Sequence, residues 1–180
     1  YLPSNLSYCR RGSKLMLLHV RRDAWLHAGS HSYRCALGRG GIQRTKREGD
    51  GVTPMGRYPI RRLLYRADRL DPPATKLPVH EIEPNAGWCD DPHDAAYNQP
   101  VELPYNANAE RMWRLDEAYD LGVIIGHNDD PVVPGAGSAI FMHIASNDYG
   151  PTEGCLALSF QDLVAMLPDL DTSSAIKIDR

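Results

Sequence analysis

Short apolar runs separated by Gly-, Pro- and Asp-rich segments run along the chain and predict β-strands rather than long helices. Segments 14–20 and 31–37 are expected to pair with each other, with a turn at 28–30 between them. Four further strands are predicted at 57–65, 121–128, 137–145 and 174–178. The middle two of these are apolar and β-branched, which is typical of adjacent central strands in a sheet.

One amphipathic helix is predicted near the end of the chain. Ser159 has a side chain suited to a helix N-cap, and Asp162 follows three residues later, as in a capping box. The expected apolar face consists of Leu163, Val164, Met166 and Leu167.

Residues 67–118 break the strand pattern because they are rich in Pro, Asp and Asn. We expect a long, partly irregular excursion over the surface, with at most one short helix near 109–115. Segments of this kind often form binding loops or lids in compact domains. No internal repeat or domain boundary is visible, so residues 1–180 are expected to form one mainly β domain with one or two short helices.

Composition narrows the possible functions. The chain has 180 residues, 42% of them apolar, and a formal net charge of −3. This balance argues against a basic surface for nucleic acid or acidic membranes. No apolar run is long enough for a transmembrane helix, and the opening residues YLPSNLSYCRRGSK lack the apolar core of a secretory leader.

Candidate chemistry lies in the stretch IFMHIASNDYGPTEGCLALS, residues 140–159. His143 ends a predicted strand, a polar loop follows, and Cys155 stands directly after Gly154. The two side chains are either ordinary core residues or a thiol nucleophile and its base. Their spacing alone does not decide between these alternatives.

A second motif favours the interpretation of Cys155 and His143 as a nucleophile and its base. The segment GDGVTPMGRYPI, residues 49–60, combined with the His and Cys stretch, resembles the YkuD-type L,D-transpeptidase catalytic domain. That family has a Gly-x-Thr-Pro-x-Gly-x-Tyr/Phe stretch, then an apolar strand ending in His, then a Ser/Thr-x-Gly-Cys box. The matching residues here are Gly51, Thr53, Pro54, Gly56, Tyr58, His143, Thr152, Gly154 and Cys155.

The resemblance implies a β-sandwich catalytic domain that acts on peptidoglycan stem peptides as donor and acceptor. Cys155 would form a thioester with the donor, His143 would act as base and then acid, and backbone N–H groups around Gly154 would form the oxyanion hole. The chemistry needs no cofactor and no metal. The resemblance also implies a monomer in the periplasm or associated with the cell wall.

Two positions depart from the family pattern. Its usual box reads Ser/Thr-His-Gly-Cys-Ile/Val-Arg, whereas this chain has Glu153 in place of the second His and Ala157 in place of the Arg. The loop between His and Cys is also shorter than in many relatives. We therefore expect a divergent subgroup, similar to those of Gram-negative bacteria, with altered donor recognition.

Several polar residues are candidates for substrate binding. A cation just before the glycine-rich motif could bind the stem-peptide carboxylate, or could belong to a solvated charge cluster. His127 and Asn128 end a predicted strand beside that of His143 and are expected at the same rim. Tyr149 could close over the substrate or pack its own loop. The full set is Arg44, Lys46, Arg47, His127, Asn128, Tyr149 and Thr152. Asp50 is expected to cap a turn rather than touch substrate.

The four cysteines include three besides the candidate nucleophile: Cys9, Cys35 and Cys89. An oxidising compartment would allow one disulfide, for which Cys35 is the expected partner of Cys89. A metal site near Cys89 is conceivable from residue types alone, but the spacing of His80 and His93 matches no zinc pattern.

Three other functions remain open at this point. The same thioester could pass to water, which would make the chain an L,D-carboxypeptidase or a wall hydrolase. The scaffold could instead be a non-catalytic module that binds the cell wall. A metallohydrolase built on His80 and His93 is the third alternative.

Overall fold

The structure of the chain, a computed structural model, describes residues 16–180. It is mainly β, with a short helix α1 at Phe160–Met166 and a 3-10 turn at Leu167–Asp169. The strands of the described part are β1 (Leu17–Arg21), β2 (Trp25–Ala28), β3 (His31–Ala36), β4 (Ile42–Gln43), β5 (Thr53–Pro54), β6 (Gly56–Tyr65), β7 (Val79–Glu81), β8 (Ala86–Cys89), β9 (Pro100–Glu102), β10 (Ala109–Arg111), β11 (Leu121–Ile125), β12 (Phe141–Ile144), β13 (Leu156–Leu158) and β14 (Ala175–Ile178).

Two sheets enclose the main core and share strands β3 and β6 at their corners. One sheet has the order β3-β2-β1-β14-β6, and the other has β3-β13-β12-β11-β6-β7. The first half of β6 pairs with β14 and the second half with β11, so this long strand passes from one sheet to the other. The predicted mainly β sandwich is confirmed.

Alternation of side chains fills the space between the sheets. Leu18 and Val20 of β1 are fully buried, and their neighbour Leu17 is exposed. Met142 of β12 and Leu156 of β13 lie opposite each other in parallel register and are also fully buried. The face of β12 and β13 that bears these two residues therefore belongs to the main core.

Helix α1 begins where the sequence predicts. The Asp162 N–H donates to Ser159 Oγ at 3.1 Å, which confirms the N-cap. Val164 is the exception on the predicted apolar face, because it is 38% exposed. The other members are buried in the main core: Leu163, Met166 and Leu167.

The predicted pairing of segments 14–20 and 31–37 is wrong. Strand β2 lies between them, pairing with β1 on one side and β3 on the other. β2 has only four residues, and Ala24 at its start takes a positive φ of 62°, which allows a tight turn that composition does not reveal. The turn predicted at 28–30 is confirmed as the connection between β2 and β3.

The excursion at 67–118 is more regular than its composition suggests. Strand β7 pairs with β6, and β10-β8-β9 form a separate three-stranded antiparallel sheet. The helix predicted near 109–115 is wrong, because β10 occupies Ala109–Arg111. Trp88 of this small sheet and Met112, directly after β10, pack in one cluster with Phe141 of β12, so the small sheet covers the outer face of the main one.

Candidate active site

Strand alternation places the two candidate catalytic side chains on one face. In β12, Phe141 and His143 point away from the main core, on the face opposite Met142. β12 and β13 are parallel, and His143 lies opposite Ala157. Cys155 is two residues before Ala157 and therefore shares this face, where it packs in the cluster that contains Phe141.

A cavity of about 600 Å³ opens on this face. We call it the Cys155 cavity. Its floor includes Cys155, His143 and Ala157 from the main sheet. The small sheet and the segment after it contribute residues to the facing wall, among them Asp90, Glu110, Arg114 and Tyr119.

The Cys155 thiol is held by backbone groups. Its Sγ donates to the Ala139 carbonyl at 3.1 Å and accepts a hydrogen bond from the Phe141 N–H at 3.4 Å. Burial raises the pKa of Cys155 to about 12, and the negative charge of Glu110 acts in the same direction. The Phe141 N–H and the charge of Lys46 oppose this shift. The Cys155 side chain is therefore a protonated thiol at neutral pH.

His143 has the properties of a neutral base. Its Nδ1 donates to the Ile144 carbonyl at 2.9 Å, which leaves Nε2 with the free lone pair. Burial lowers the pKa of His143, so the ring is uncharged at neutral pH. Its ring is nearly perpendicular to that of Tyr119, with ring centroids 5.4 Å apart. No hydrogen bond joins the ring to Cys155 Sγ in this state, so proton transfer requires thiol rotation or a bridging water.

The loop before Cys155 is shaped by Thr152. Its hydroxyl donates to the Cys155 carbonyl at 2.6 Å and accepts from the Gly154 N–H at 3.1 Å. Gly154 has φ of +135°, and a Cβ there would lie 2.7 Å from the Val52 carbonyl oxygen. The position therefore needs glycine, both for its backbone conformation and for its close approach to the chain at Val52.

The glycine-rich motif of residues 49–60 supports this loop. Val52 and Thr53 are buried, and Thr53 Oγ1 accepts the Gly38 N–H at 2.8 Å. The Gly38 segment in turn bridges to Thr152. The two sequence motifs are therefore in contact, and the glycine-rich motif supports the loop before Cys155.

A side chain of the excursion, Asn98, anchors the segment that holds the thiol. Its Oδ1 accepts the Ala139 N–H at 3.0 Å and the Trp88 indole N–H at 3.0 Å. Its amide nitrogen donates to the carbonyls of His127 and Asn128. Ala139 itself has a positive φ of 49°, a strained conformation that these contacts stabilise. Sequence reasoning missed Asn98, since nothing nearby in sequence reports its distant partners.

The two departures from the family motif also line the Cys155 cavity. Glu153 forms an exposed ion pair with Arg39, with Nη2 to Oε2 at 2.7 Å. Ala157 is small, and Arg114 lines the same cavity while pairing with Asp116. Arg114 thus supplies a guanidinium group to the cavity, and sequence reasoning did not single it out.

Lys46 and Thr152 are the predicted substrate-binding residues that line the Cys155 cavity. The Lys46 side chain is 5% exposed, and its Nζ contacts Asp50 Oδ1 at 2.6 Å. Arg44 and Arg47 are exposed outside the cavity.

Asp50 has the predicted turn role. Its carboxylate accepts the N–H groups of Arg47, at 2.7 Å, and Val52, at 2.9 Å. These contacts hold the turn that leads into the glycine-rich motif.

The expected shared rim of His127, Asn128 and His143 is wrong. β11 and β12 are antiparallel, so the end of β11 lies at the opposite edge of the sheet from the end of β12. His127 donates to the Ala136 carbonyl, and Asn128 donates to the Val133 and Gly137 carbonyls, as a loop anchor does. Tyr149 also lies outside the cavity lining, stacked beneath the Arg34 guanidinium at 4.2 Å.

The expected disulfide between Cys35 and Cys89 is wrong, because both residues are free and buried. Cys35 lies on β3 of the main sandwich and Cys89 on β8 of the small sheet. Cys9 lies outside the described residues. Within residues 16–180, no group of three or more His, Cys, Asp or Glu side chains could hold a metal ion, and His80 and His93 are exposed. No helix of the same residues is long and apolar enough to cross a membrane.

Comparison with known proteins identifies one family. The family model described as the L,D-transpeptidase catalytic domain, YkuD, matches residues 17–178. Similar solved structures include L,D-transpeptidase 1 of Mycobacterium tuberculosis, with 10% identity, a TM-score of 0.40 and coverage of 91% of this chain and 61% of that chain. Another is an L,D-transpeptidase from Mycobacterium smegmatis, with 10% identity, a TM-score of 0.44 and coverage of 92% and 58%. This chain spans less than two thirds of either of those chains. No curated protein matches it.

Proposed function

The chain belongs to the YkuD family of L,D-transpeptidase catalytic domains, and on that basis we propose that it cross-links peptidoglycan stem peptides through a thioester on Cys155. The observation that carries the proposal is the shared placement of Cys155 and His143 on one face of the main sheet, at a cavity of about 600 Å³. A core cysteine and a core histidine would have no reason to line the same cavity. The site of action is the cell wall, where the stem peptides lie.

Acylation begins with the protonated thiol. Cys155 Sγ attacks the carbonyl of a peptide bond between an L-centre and a D-centre, and its proton passes to His143 Nε2. The Cys155 backbone N–H binds the developing oxyanion. The Gly154 N–H, which the sequence also nominates, already donates to Thr152 Oγ1 at 3.1 Å and would have to leave that partner to join it. The C–N bond then breaks, His143 gives its proton to the leaving amine of the D-residue, and the donor remains on Cys155 as a thioester.

Burial and the charge of Glu110 raise the pKa of Cys155, so the thiol is protonated before the substrate binds. In the proposed step, proton transfer to His143 accompanies attack on the carbonyl. The nearby charge of Lys46 opposes the rise in the pKa of Cys155 and so favours loss of the proton.

Lys46 also provides the donor site with a cation. Its Nζ lies close to Gly154, within 3.4 Å of where a Cβ on that residue would stand. We assign it to the carboxylate of the donor stem peptide, which would share the ammonium group with Asp50. Thr152 acts through the loop, by holding Cys155 in position.

The test is a reaction of the purified protein with disaccharide-tetrapeptide muropeptides, followed by mass spectrometry. We expect cross-linked dimers and a transient adduct on Cys155. Cys155→Ala should form neither, whereas Cys35→Ala, which removes a buried thiol outside the cavity, should form both. Dimers formed by Cys155→Ala would refute the cysteine mechanism. Shortened monomers without dimers would show that water is the acceptor and that the chain is an L,D-carboxypeptidase.

A further inference from the structure

Four carboxylates line the Cys155 cavity. Glu153 pairs with Arg39, and the other three are Glu48, Asp90 and Glu110. Their hydrogen-bond donors are neutral groups. Tyr119 donates to Glu110 at 2.6 Å, Asn108 donates to Asp90 at 2.6 Å, and Glu48 accepts from the hydroxyls of Tyr97 and Ser138.

No ion pair involves any of these three carboxylates among residues 16–180. The two cations of the cavity, Lys46 and Arg114, already pair with Asp50 and Asp116. One wall of the cavity therefore carries three carboxylates that have no ion-pair partner within residues 16–180.

Glu110 is the carboxylate of this wall that acts on the nucleophile. Its charge raises the pKa of Cys155, and burial together with the charges of Asp90 and Glu48 raises its own pKa, while the Tyr119 hydroxyl and Arg114 oppose the shift. A carboxylate in this place makes the thiol harder to deprotonate. The charge of Glu110 therefore disfavours acylation. Any contribution of Glu110 to the reaction must belong to a different step.

We infer that Glu110 binds the ammonium group of the amine acceptor that resolves the thioester. This inference rests on the proposed transpeptidase function and names the acceptor side of the same cavity. A partly buried carboxylate with a free lone pair binds an ammonium group through a charge-assisted hydrogen bond. Asp90 and Glu48 extend the negative wall along the path by which the acceptor arrives.

Proton balance gives Glu110 a second use in this step. The acceptor enters as R–NH₃⁺ and must lose one proton before it attacks, and Glu110 receives that proton and passes it to solvent. The free amine then attacks the thioester carbonyl, the C–N bond forms and the C–S bond breaks. The second amine proton passes through His143 to Cys155 Sγ. Hydrolysis by water needs no such additional proton acceptor.

The test compares acylation with transfer in Glu110→Gln, which keeps the side-chain shape and an oxygen for the Tyr119 hydroxyl. We expect the thioester to form at least as fast as in the wild type, because the charge that disfavours deprotonation of Cys155 is removed. Transfer to an amine acceptor should fall by about 10- to 100-fold, the loss typical of a hydrogen bond to a charged group, with a raised KM for the acceptor and more hydrolysis. The matched control is Glu81→Gln, because Glu81 also accepts a tyrosine hydroxyl, that of Tyr65, but lies on β7 outside the cavity.

Equal loss of acylation and transfer in Glu110→Gln would overturn the inference, and so would an unchanged ratio of transfer to hydrolysis.

A binding measurement distinguishes failure of the inference about Glu110 from failure of the proposed function. Cys155→Ala should bind a short peptide with a free lysine-type ammonium group, and adding Glu110→Gln should weaken binding about 10-fold or more. Equal binding by the two variants, or none by Cys155→Ala, would contradict the inference even if the wild type forms dimers. If the wild type forms no thioester, the proposed function fails, while loss of peptide binding with Glu110→Gln would still support the ammonium site.

Discussion

His143 lies on β12 of the main sheet and Cys155 directly precedes β13. The residues that face them across the cavity come from the excursion or directly after it: Glu110, Arg114 and Tyr119. The positions of Cys155 and His143 follow from the alternation of side chains within a few residues of each motif. The second group is placed by packing between two sheets that are distant in sequence. Under the proposed function, the sandwich would carry the nucleophile and its base, and the excursion would carry the groups that bind the acceptor.

The largest effect is expected from removing the base on the main sheet. His143→Gln should lower the rate of thioester formation by about 10²- to 10⁴-fold, the usual contribution of a general base. His127→Gln is the matched control, because His127 is also largely buried but does not line the Cys155 cavity. Stopped-flow measurement of acylation checks this, and a loss of less than tenfold would show that another group deprotonates Cys155.

The next effect concerns the stability of the sandwich. Leu163→Ala should lower the free energy of unfolding by about 2–5 kcal/mol, because this fully buried side chain leaves a cavity in the main core. Val164→Ala on the exposed side of the same helix should change it little. Urea denaturation checks both variants, and similar losses for the two would mean that α1 is not anchored through its buried face.

A smaller effect is expected where the excursion is joined to the main sheet. Asn98→Ala should cost about 1–3 kcal/mol, because it leaves the Ala139 N–H without its partner. It should also slow acylation, since the Ala139 carbonyl holds the thiol. Ser159→Ala removes the N-cap hydrogen bond of α1, which lies outside the Cys155 cavity, and should affect stability alone. Equal acylation rates for the two variants would break the link between the excursion and the nucleophile.

The pH dependence of kcat/KM tests how the main sheet and the excursion together set the pKa of His143. Burial lowers the pKa of His143 and Arg114 acts in the same direction, while the Ile144 carbonyl and Asp116 oppose them. The neutral base is therefore lost only as pH falls through a value below the ordinary 6.5. We expect the acid limb of kcat/KM to have its midpoint below pH 6.5, and a midpoint above that value would contradict the assignment of a buried neutral base.

The smallest effect is expected at the rim. Glu153→Gln breaks an exposed ion pair with Arg39, and such pairs contribute little to stability. The thermal midpoint and the acylation rate should both stay close to those of the wild type. A tenfold loss of acylation would show that Glu153 has a chemical role at the position where the family usually has His.

Much of the sandwich follows from local patterns. The segment ending at His143, the Ser159 cap and the turn role of Asp50 could be predicted, because each depends on neighbours within a few residues. The small sheet could not, since its strands are three or four residues long and lie within a segment rich in Pro, Asp and Asn. The shared rim of His127 and His143 failed for a related reason, because apolar character does not reveal whether two strands run parallel or antiparallel.

The sequence by itself determined the family, the mainly β fold and the candidate pair Cys155 and His143, because motif order and short-range periodicity carry that information. Only the tertiary structure decided which charged side chains lie near the Cys155 thiol. Lys46 and Glu110 are 64 positions apart in the numbering, and nothing local links either of them to Cys155. Their meeting at one cavity depends on how the small sheet packs against Phe141, and packing over such sequence distances is set by the whole core rather than by any one segment.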